Sequence, residues 1–175
     1  MHDHVQAHFQ FDNQAVLDFG SGTGANCSMF DPHYYLGVDT DDQRIEFARR
    51  LYPQHRFDVF DGEKLPVEDQ TIDNLLIIAV LHHIPSEAIT DYMKEFKRIL
   101  KPAGTIIVME PCLCVDNPLC NNFMKWYDNG EYIRDEEQYI QLFRDHNYDC
   151  NVIKRFRKCF LYNELFFSAN STHLN

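Results

Sequence analysis

Three glycines at every second position follow a carboxylate in the stretch Asp18–Gly24. The apolar run Ala15–Leu17 before them is typical of a buried strand. Glycines at this spacing permit positive φ and let a ligand approach the backbone closely. We interpret the stretch as a nucleotide-binding loop that leads into a short helix at about Gly24–Phe30, whose free N–H groups would point at the ligand. A plain glycine-rich turn between strand and helix is the alternative interpretation.

Composition narrows the class of protein. The 175 residues are 45% hydrophobic and 14% aromatic, which suits one globular domain with a substantial core. The net charge of -11 opposes broad attraction to nucleic acid or to an anionic membrane. The longest apolar run, Leu75–Leu81, is far shorter than the roughly 20 residues of a membrane helix, and the polar start is unlike a signal peptide. We therefore expect a cytoplasmic protein that binds neither nucleic acid nor membrane.

The cysteines and histidines do not have the spacing of a metal site. Six cysteines without a secretory segment are expected to be reduced thiols. Cys112, Cys114 and Cys120 form the only cluster, and no paired C-x-x-C spacing or well-placed histidine accompanies them. We expect no bound metal.

Hydrophobic periodicity predicts strands that alternate with helices along one domain, residues 1–175, with a short N-terminal segment 1–14 and a less regular insert 111–147. The predicted strands are Ala15–Phe19, Tyr34–Asp39, His55–Phe60, Ile72–Val80, Thr105–Glu110, Tyr148–Arg155 and Cys159–Ser168. The predicted helices after the loop are Asp42–Leu51, Ser86–Leu100, Leu119–Asp128 and Asp135–Asp145. The last two strands are close in sequence, which favours an antiparallel pair. The fold class is therefore α/β, a Rossmann-like open sheet, mostly parallel, with helices on both faces.

Polar side chains follow four successive predicted strands. They are Asp18, Asp39, Asp61 and the pair His82-His83. Ligands of open α/β sheets bind at the carboxyl ends of the strands, so these residues would line one crevice. Asp39 suits two ribose hydroxyls because a carboxylate only accepts hydrogen bonds, and Asp61 could accept from an exocyclic base amine.

Two cofactors fit this crevice on the residues alone. Gly20-x-Gly22-x-x-Ala25 with Asp39 about 20 residues downstream also satisfies the dinucleotide fingerprint, which leaves a nicotinamide-dependent oxidoreductase open. Asp18 beside the loop would repel a pyrophosphate and would favour a ligand with a cationic amino-acid end.

Five blocks of sequence, in order, resemble the class I S-adenosylmethionine-dependent methyltransferases, of the small-molecule, type 11-like kind. The blocks are Val16–Gly24, Gly37–Asp39, Asp61–Pro66, Leu81–Pro85 and Leu100–Thr105. The resemblance implies S-adenosyl-L-methionine as cofactor and a seven-stranded sheet with an antiparallel last strand. It implies a cofactor site made of Asp18, Gly20, Ser21, Gly22, Thr23, Gly24, Asp39, Thr40, Asp61, Gly62 and Ala79. The glycine loop and Asp18 would surround the methionine part, Asp39 the ribose, Asp61 and Gly62 the adenine, and Ala79 the methyl-donor end.

The methyl acceptor is expected to be a small organic molecule. His83 is the candidate base because its pKa lies near neutrality, although His82 or His83 could instead cap the turn or pack on the cofactor. Glu110 is a candidate for binding a cationic or hydroxyl acceptor. The candidate acceptor-binding residues of the insert are Trp126, Tyr132 and Arg134.

Most members of this family carry a longer N-terminal lid than the dozen or so residues that precede the first strand here. Either the acceptor is bulky, or a homodimer or another partner chain covers the open site. A non-catalytic, methyltransferase-like binding subunit is the alternative to an enzyme.

Overall fold

The computed structural model describes residues 2–114, 118–127, 131–158 and 162–172. Its strands are β1 (Val16–Phe19), β2 (Tyr35–Asp39), β3 (Arg56–Val59), β4 (Ile72–Ile78), β5 (Leu100–Leu113), β6 (Arg134–Asp135), β7 (Tyr148–Lys158) and β8 (Tyr162–Ser171). Its helices are α1 (His2–His8), α2 (Asp42–Leu51), α3 (Ser86–Ile99), α4 (Pro118–Tyr127) and α5 (Glu136–Arg144), with 3₁₀ turns at Cys27–Met29 and Leu81–His83.

Seven strands form the main sheet in the order β3-β2-β1-β4-β5-β8-β7. β8 runs antiparallel to both of its neighbours, and every other pairing along this path is parallel. The short strand β6 lies off this path and pairs with the end of β5. The expected mostly parallel sheet with an antiparallel last strand is confirmed.

Helices cover both faces of the sheet, as expected. One face packs against α3 and α5, and the other packs against α1 and α2. Residues along β5 alternate between the two layers, with Ile106 and Val108 in the first and Ile107 and Met109 in the second. This alternation follows from the two-residue period of a strand and explains the nearly continuous apolar runs.

The helix expected at Gly24–Phe30 is wrong. The chain instead makes tight turns, with a single 3₁₀ turn at Cys27–Met29. Only seven residues were available before Asp31-Pro32, and the residue before a proline is disfavoured in the helical region. Asn26 directs its side chain to Asp18, so this segment is tied to the loop it follows.

β5 is longer than predicted: it begins at Leu100 and includes the stretch Lys101–Gly104 that was expected to separate helix from strand. Ile72 of β4 pairs with Leu100, and Asn74 pairs with Thr105. The register between β4 and β5 therefore shifts here, and the residues of β5 between Leu100 and Thr105 form an irregularity. Pro102 lies in this irregular part, where the ladder does not need its N–H.

The N-terminal segment contains α1, whose Val5 is fully buried. His8 and Phe9 both contact the ring of Phe166 on β8, with centroid distances of 5.7 and 6.1 Å. These residues therefore complete one core layer. Within the described residues, no helix combines the length and the apolar character needed to cross a membrane.

Candidate active site

The carboxyl ends of β1 to β4 meet at one edge of the sheet, and contacts link the segments that follow them. The Gly22 N–H donates to Asp39 Oδ2 at 2.9 Å, which joins the loop after β1 to the end of β2. A Cβ placed on Gly62 would lie 3.8 Å from Thr40 Cγ2, which joins the ends of β3 and β2. The segments that follow these strands therefore lie side by side at this edge of the sheet.

The glycine loop depends on backbone conformations that other residues avoid. Gly20, Gly22 and Gly24 have φ of 71°, 53° and 82°. A Cβ on Gly20 would also lie 2.5 Å from Val80 Cγ2, so the loop touches the segment after β4.

Asp18 is buried beneath the loop. Its carboxylate accepts from the Tyr35 hydroxyl at 2.8 Å and from Asn26 Nδ2 at 3.3 Å. Burial raises the pKa of Asp18 to about 7, because these two neutral donors do not replace the lost hydration. A cation brought beside this carboxylate would favour its charged form.

Asp39 ends β2 and is buried at the base of the crevice. Its Oδ2 accepts from Gly22 N, and its Oδ1 accepts from Asp41 N at 2.9 Å. Each carboxylate oxygen has a further acceptor site, so the side chain can still take two ribose hydroxyls.

Asp61 is exposed at the start of the loop that follows β3. Its Oδ1 accepts from the backbone N–H groups of Glu63 and Lys64, at 2.9 and 3.0 Å. These hydrogen bonds lower the pKa of Asp61, so the side chain carries its charge at neutral pH. The other predicted cofactor residues lie in the same loops: Ser21 is buried, while Thr23, Thr40 and Ala79 are exposed.

The turn after β4 is held from below by Glu110, which is fully buried. Its Oε1 accepts from the N–H groups of Val80 and Leu81 at 2.8 Å each. Its Oε2 accepts from the N–H of His82 at 3.3 Å and lies 2.8 Å from His82 Nδ1. Glu110 was expected to face the acceptor, and the structure places it inside the protein instead.

Arg134 stabilises the same turn by hydrogen bonds to the backbone carbonyl oxygens of the turn. Its guanidinium donates to the carbonyl oxygens of Leu81 and Ile84 at 2.8 Å each, and to Ser86 Oγ at 3.0 Å. Arg134 is buried, and it also donates to the Tyr132 carbonyl. The expectation of a substrate contact is therefore not met by its position, and Arg134 braces the turn.

The two histidines of the turn differ in exposure. His82 is buried against Glu110, whereas His83 is exposed, and their ring centroids are 4.0 Å apart. His83 is thus the histidine of this turn whose side chain is exposed.

The insert supplies two exposed aromatic side chains. Tyr132 is 38% exposed and its N–H donates to the His82 carbonyl, so it borders the turn. Trp126 stands on α4 and is 81% exposed. A cavity of about 590 Å³ lies between the end of β5, the start of α5 and the β7–β8 hairpin, with Cys112, Asp135 and Arg155 among its lining residues. Across the described ranges, no three His, Cys, Asp or Glu side chains converge into a metal site.

Sequence reasoning missed the partners that hold these groups. Tyr35 bonds to Asp18 and Glu110 bonds to residues 80–82, and both contacts join separate strands. No local pattern marks such contacts, because they depend on strand order.

The sheet order, the glycine loop and the acidic strand ends together define the class I S-adenosylmethionine-dependent methyltransferase fold. Residues 17–108, more than half of the chain, match the family described as "Methyltransferase domain", and the chain belongs to that family. Its cofactor is S-adenosylmethionine rather than a nicotinamide.

The curated relatives that the chain resembles are named for different methyl acceptors. The chain is 31% identical over 101 residues to a demethylmenaquinone methyltransferase of Chlorobaculum parvum, covering 56% of this chain and 41% of that protein. It is 37% identical over 67 residues to the tRNA (carboxymethyluridine(34)-5-O)-methyltransferase of Saccharomyces cerevisiae, covering 38% of this chain and 24% of that protein. The chain thus spans less than half the length of these curated relatives.

Solved structures share the fold. The magnesium protoporphyrin IX methyltransferase of Synechocystis PCC 6803, with bound SAH, superposes with a TM-score of 0.74 over 97% of this chain and 82% of its own, at 16% identity.

Proposed function

We propose that this chain transfers a methyl group from S-adenosylmethionine to a small organic acceptor. The observation that carries the proposal is the hydrogen bond between Gly22 N–H and Asp39, which supports Asp39 as the ribose-binding carboxylate because its side chain lies against the glycine loop. The net charge of -11 supports a small acceptor over a polyanion such as tRNA.

In this proposal, the residues that follow each strand bind a different part of the cofactor. The loop Gly20–Gly24 and Asp18 hold the methionine part, and the raised pKa of Asp18 lets a nearby ammonium group restore its charge. Asp39 with Thr40 holds the ribose, and Asp61 with Gly62 meets the adenine. Ala79, with φ of 56°, turns the chain beside the methyl-donor end.

Methyl transfer is a displacement in which the acceptor forms a bond to the methyl carbon while the carbon–sulfur bond breaks. The sulfonium becomes a neutral thioether, and an acceptor that carries a proton loses it. His83 is the base of this proposal because it is exposed on the turn, while His82 is buried against Glu110. Glu110 and Arg134 act as positioning residues that fix this turn.

The acceptor binds on the side of residues 111–147. Tyr132 borders the His82–His83 turn, and Trp126 adds an exposed aromatic surface. The cavity of about 590 Å³ beside the end of β5 provides a volume suited to a small molecule.

Calorimetric titration with S-adenosylhomocysteine tests the cofactor site. Asp39→Asn keeps the size of the side chain and removes its charge, so we expect affinity to fall by about ten-fold or more. Asp42→Asn, at an exposed position on α2, is the matched control and should bind like the parent. A folded parent that does not bind, or an Asp39→Asn variant that binds as tightly as the parent, overturns the assignment.

Incubation of cell extract with methyl-labelled donor identifies the acceptor and then tests the base. With that acceptor, His83→Gln should lower kcat by roughly 100-fold with little change in cofactor affinity. His33→Gln, an exposed histidine at the other end of the sheet, is the control. Unchanged turnover in His83→Gln would reject the base role.

A further inference from the structure

Asn163, near the start of β8, has a buried side-chain amide nitrogen without a hydrogen-bond partner. The residue is 5% exposed, and its Oδ1 accepts from Arg157 Nε at 3.3 Å across the β7–β8 hairpin. A guanidinium only donates, so this contact identifies the amide oxygen and leaves Nδ2 as a donor. No group in the described part of the chain accepts from Nδ2. A buried donor destabilises the fold unless a bound molecule supplies the acceptor.

Asn163 lines the cavity of about 590 Å³ between the end of β5, the start of α5 and the β7–β8 hairpin. Arg157 lines the same cavity, and within the described ranges its Nη groups form no hydrogen bond. The two side chains therefore offer N–H donors to one space. A carbonyl oxygen has two acceptor sites, so one such oxygen can bond to both donors.

The charges around the cavity oppose an anionic ligand. Arg155 is ion-paired with Glu136 on α5, so its charge is already compensated. Among the described lining residues, four carboxylate side chains stand against two guanidiniums; the carboxylates are those of Asp135, Glu136, Glu137 and Glu164. A ligand with a free carboxylate would be repelled by this excess of negative charge, whereas a neutral carbonyl oxygen would not.

The cavity adjoins the segment that holds the histidine turn. Cys112 lines it and stands two residues after Glu110 on β5, about 7 Å further along the strand. Leu113, Phe156 and Leu165 add apolar surface to the lining. A ring can therefore pack in the cavity while the reacting group of the same molecule extends toward the turn at residues 80–84.

We propose that Asn163 Nδ2 and the Arg157 guanidinium bind a carbonyl oxygen of a neutral, ring-bearing methyl acceptor. The inference rests on the proposed function and names the class of its acceptor. The two donors select an oxygen acceptor over an amine, and the surrounding carboxylates select a neutral molecule over an acid.

A chemical-shift titration of the isotope-labelled protein with three small probes tests this selection. Of these probes, para-hydroxyacetophenone carries a neutral carbonyl group, para-ethylphenol lacks the oxygen, and para-hydroxybenzoate carries a carboxylate. The parent should bind para-hydroxyacetophenone at least ten-fold more tightly than either of the other two. The side-chain amide signals of Asn163 should shift with that probe, and their loss in Asn163→Asp identifies them.

Two variants test the donors. Asn163→Asp keeps the size of the side chain and an oxygen for Arg157 but replaces the free donor with an acceptor, so it should bind para-hydroxyacetophenone at least ten-fold more weakly. Asn151→Asp adds the same charge at an exposed position on β7 and is the matched control, expected to bind like the parent. Arg157→Gln, at an exposed position, should also weaken binding about ten-fold. Thermal unfolding midpoints close to that of the parent exclude a loss of fold as the cause.

A parent without the preference for para-hydroxyacetophenone, or either variant with parental affinity for it, overturns the inference. A separate calorimetric titration with S-adenosylhomocysteine distinguishes this failure from that of the proposed function. A parent that binds S-adenosylhomocysteine but not the probe overturns only the class of acceptor. A parent that binds neither overturns the proposed function as well.

Discussion

The two sides of the crevice are held in place by opposite means. The glycine loop takes its shape from positive φ, and it is joined to β2 by backbone N–H groups: those of Gly20 and Ser21 donate to the Val38 carbonyl, and that of Gly22 donates to Asp39. The turn at residues 80–84 is instead held by two buried charged side chains, Glu110 from β5 and Arg134 from β6. One side is therefore held by its own backbone groups, and the other is held by charged side chains from separate strands.

The largest expected effect is that of removing Glu110, one of the two charged side chains that hold the turn at residues 80–84. Glu110→Ala leaves three backbone N–H groups and the His82 ring without their buried acceptor. We expect the free energy of unfolding to fall by about 3–5 kcal/mol, measured by urea denaturation. Glu137→Ala, at an exposed position on α5, should stay near the parent, and a loss below about 1 kcal/mol for Glu110→Ala would contradict the role.

Substitution of Gly20 or Gly22 by alanine distinguishes an effect on stability from an effect on ligand binding at the glycine loop. The new Cβ at position 20 would meet Val80 at 2.5 Å, whereas at position 22 no atom lies within 4 Å. Gly20→Ala should lower the unfolding free energy by about 3 kcal/mol and Gly22→Ala by only about 1 kcal/mol, the strain of positive φ.

Binding of S-adenosylhomocysteine should reveal the complementary effect. The Cβ of Gly22→Ala stands in the open crevice, so this variant should lose at least ten-fold in affinity although it remains folded. Equal losses of stability in the two variants would show that contact with Val80 does not constrain the loop.

The pH dependence of stability reports on Asp18 beneath the loop. The folded protein keeps the Asp18 proton up to a pKa of about 7, while the unfolded chain releases it near 3.8. Between these values the folded state binds more protons, so the unfolding free energy falls as pH rises. Asp18→Asn should remove about 2 kcal/mol of the fall between pH 5 and pH 8, measured by urea denaturation at both values. A variant with the parental slope would show that Asp18 ionises normally.

Ala79 directly precedes the turn at residues 80–84, and its φ of 56° is strained for a residue with a side chain. Ala79→Gly should relieve that strain and leave stability unchanged or raise it by up to about 1 kcal/mol in thermal denaturation. Ala88→Gly, on α3, should lower stability by a similar amount, and a Tm loss for Ala79→Gly as large as in that control would contradict the argument.

Local signals predicted the elements that local physics decides. The bounds of α2, Asp42–Leu51, are as predicted, because Asp41 caps the helix through the N–H groups of Gln43 and Arg44. The helix at Gly24–Phe30 was wrong because the same residues had to fill a core and reach Asp18. The last strand, predicted at Cys159–Ser168, continues to Ser171, and residues 159–161 lie outside the described part of the chain.

The candidate site likewise contains residues that local signals predicted and residues that they did not. Acidic residues at strand ends mark the cofactor crevice because parallel strands must bring their carboxyl ends together. The position of Glu110 could not be deduced, since its partners lie about thirty residues earlier and meet it only when β4 and β5 pair. Arg134 was likewise assigned to the acceptor, since three of its four oxygen partners, in Leu81, Ile84 and Ser86, lie about fifty residues earlier.

The exposed side chain on α4 also has a spectroscopic consequence. Trp126 is the single tryptophan of the sequence, so the indole fluorescence of the protein arises from one known place on the insert. An emission shift on addition of cofactor would reveal coupling between the crevice and α4, and a shift on addition of an acceptor would report its arrival without any chemical label.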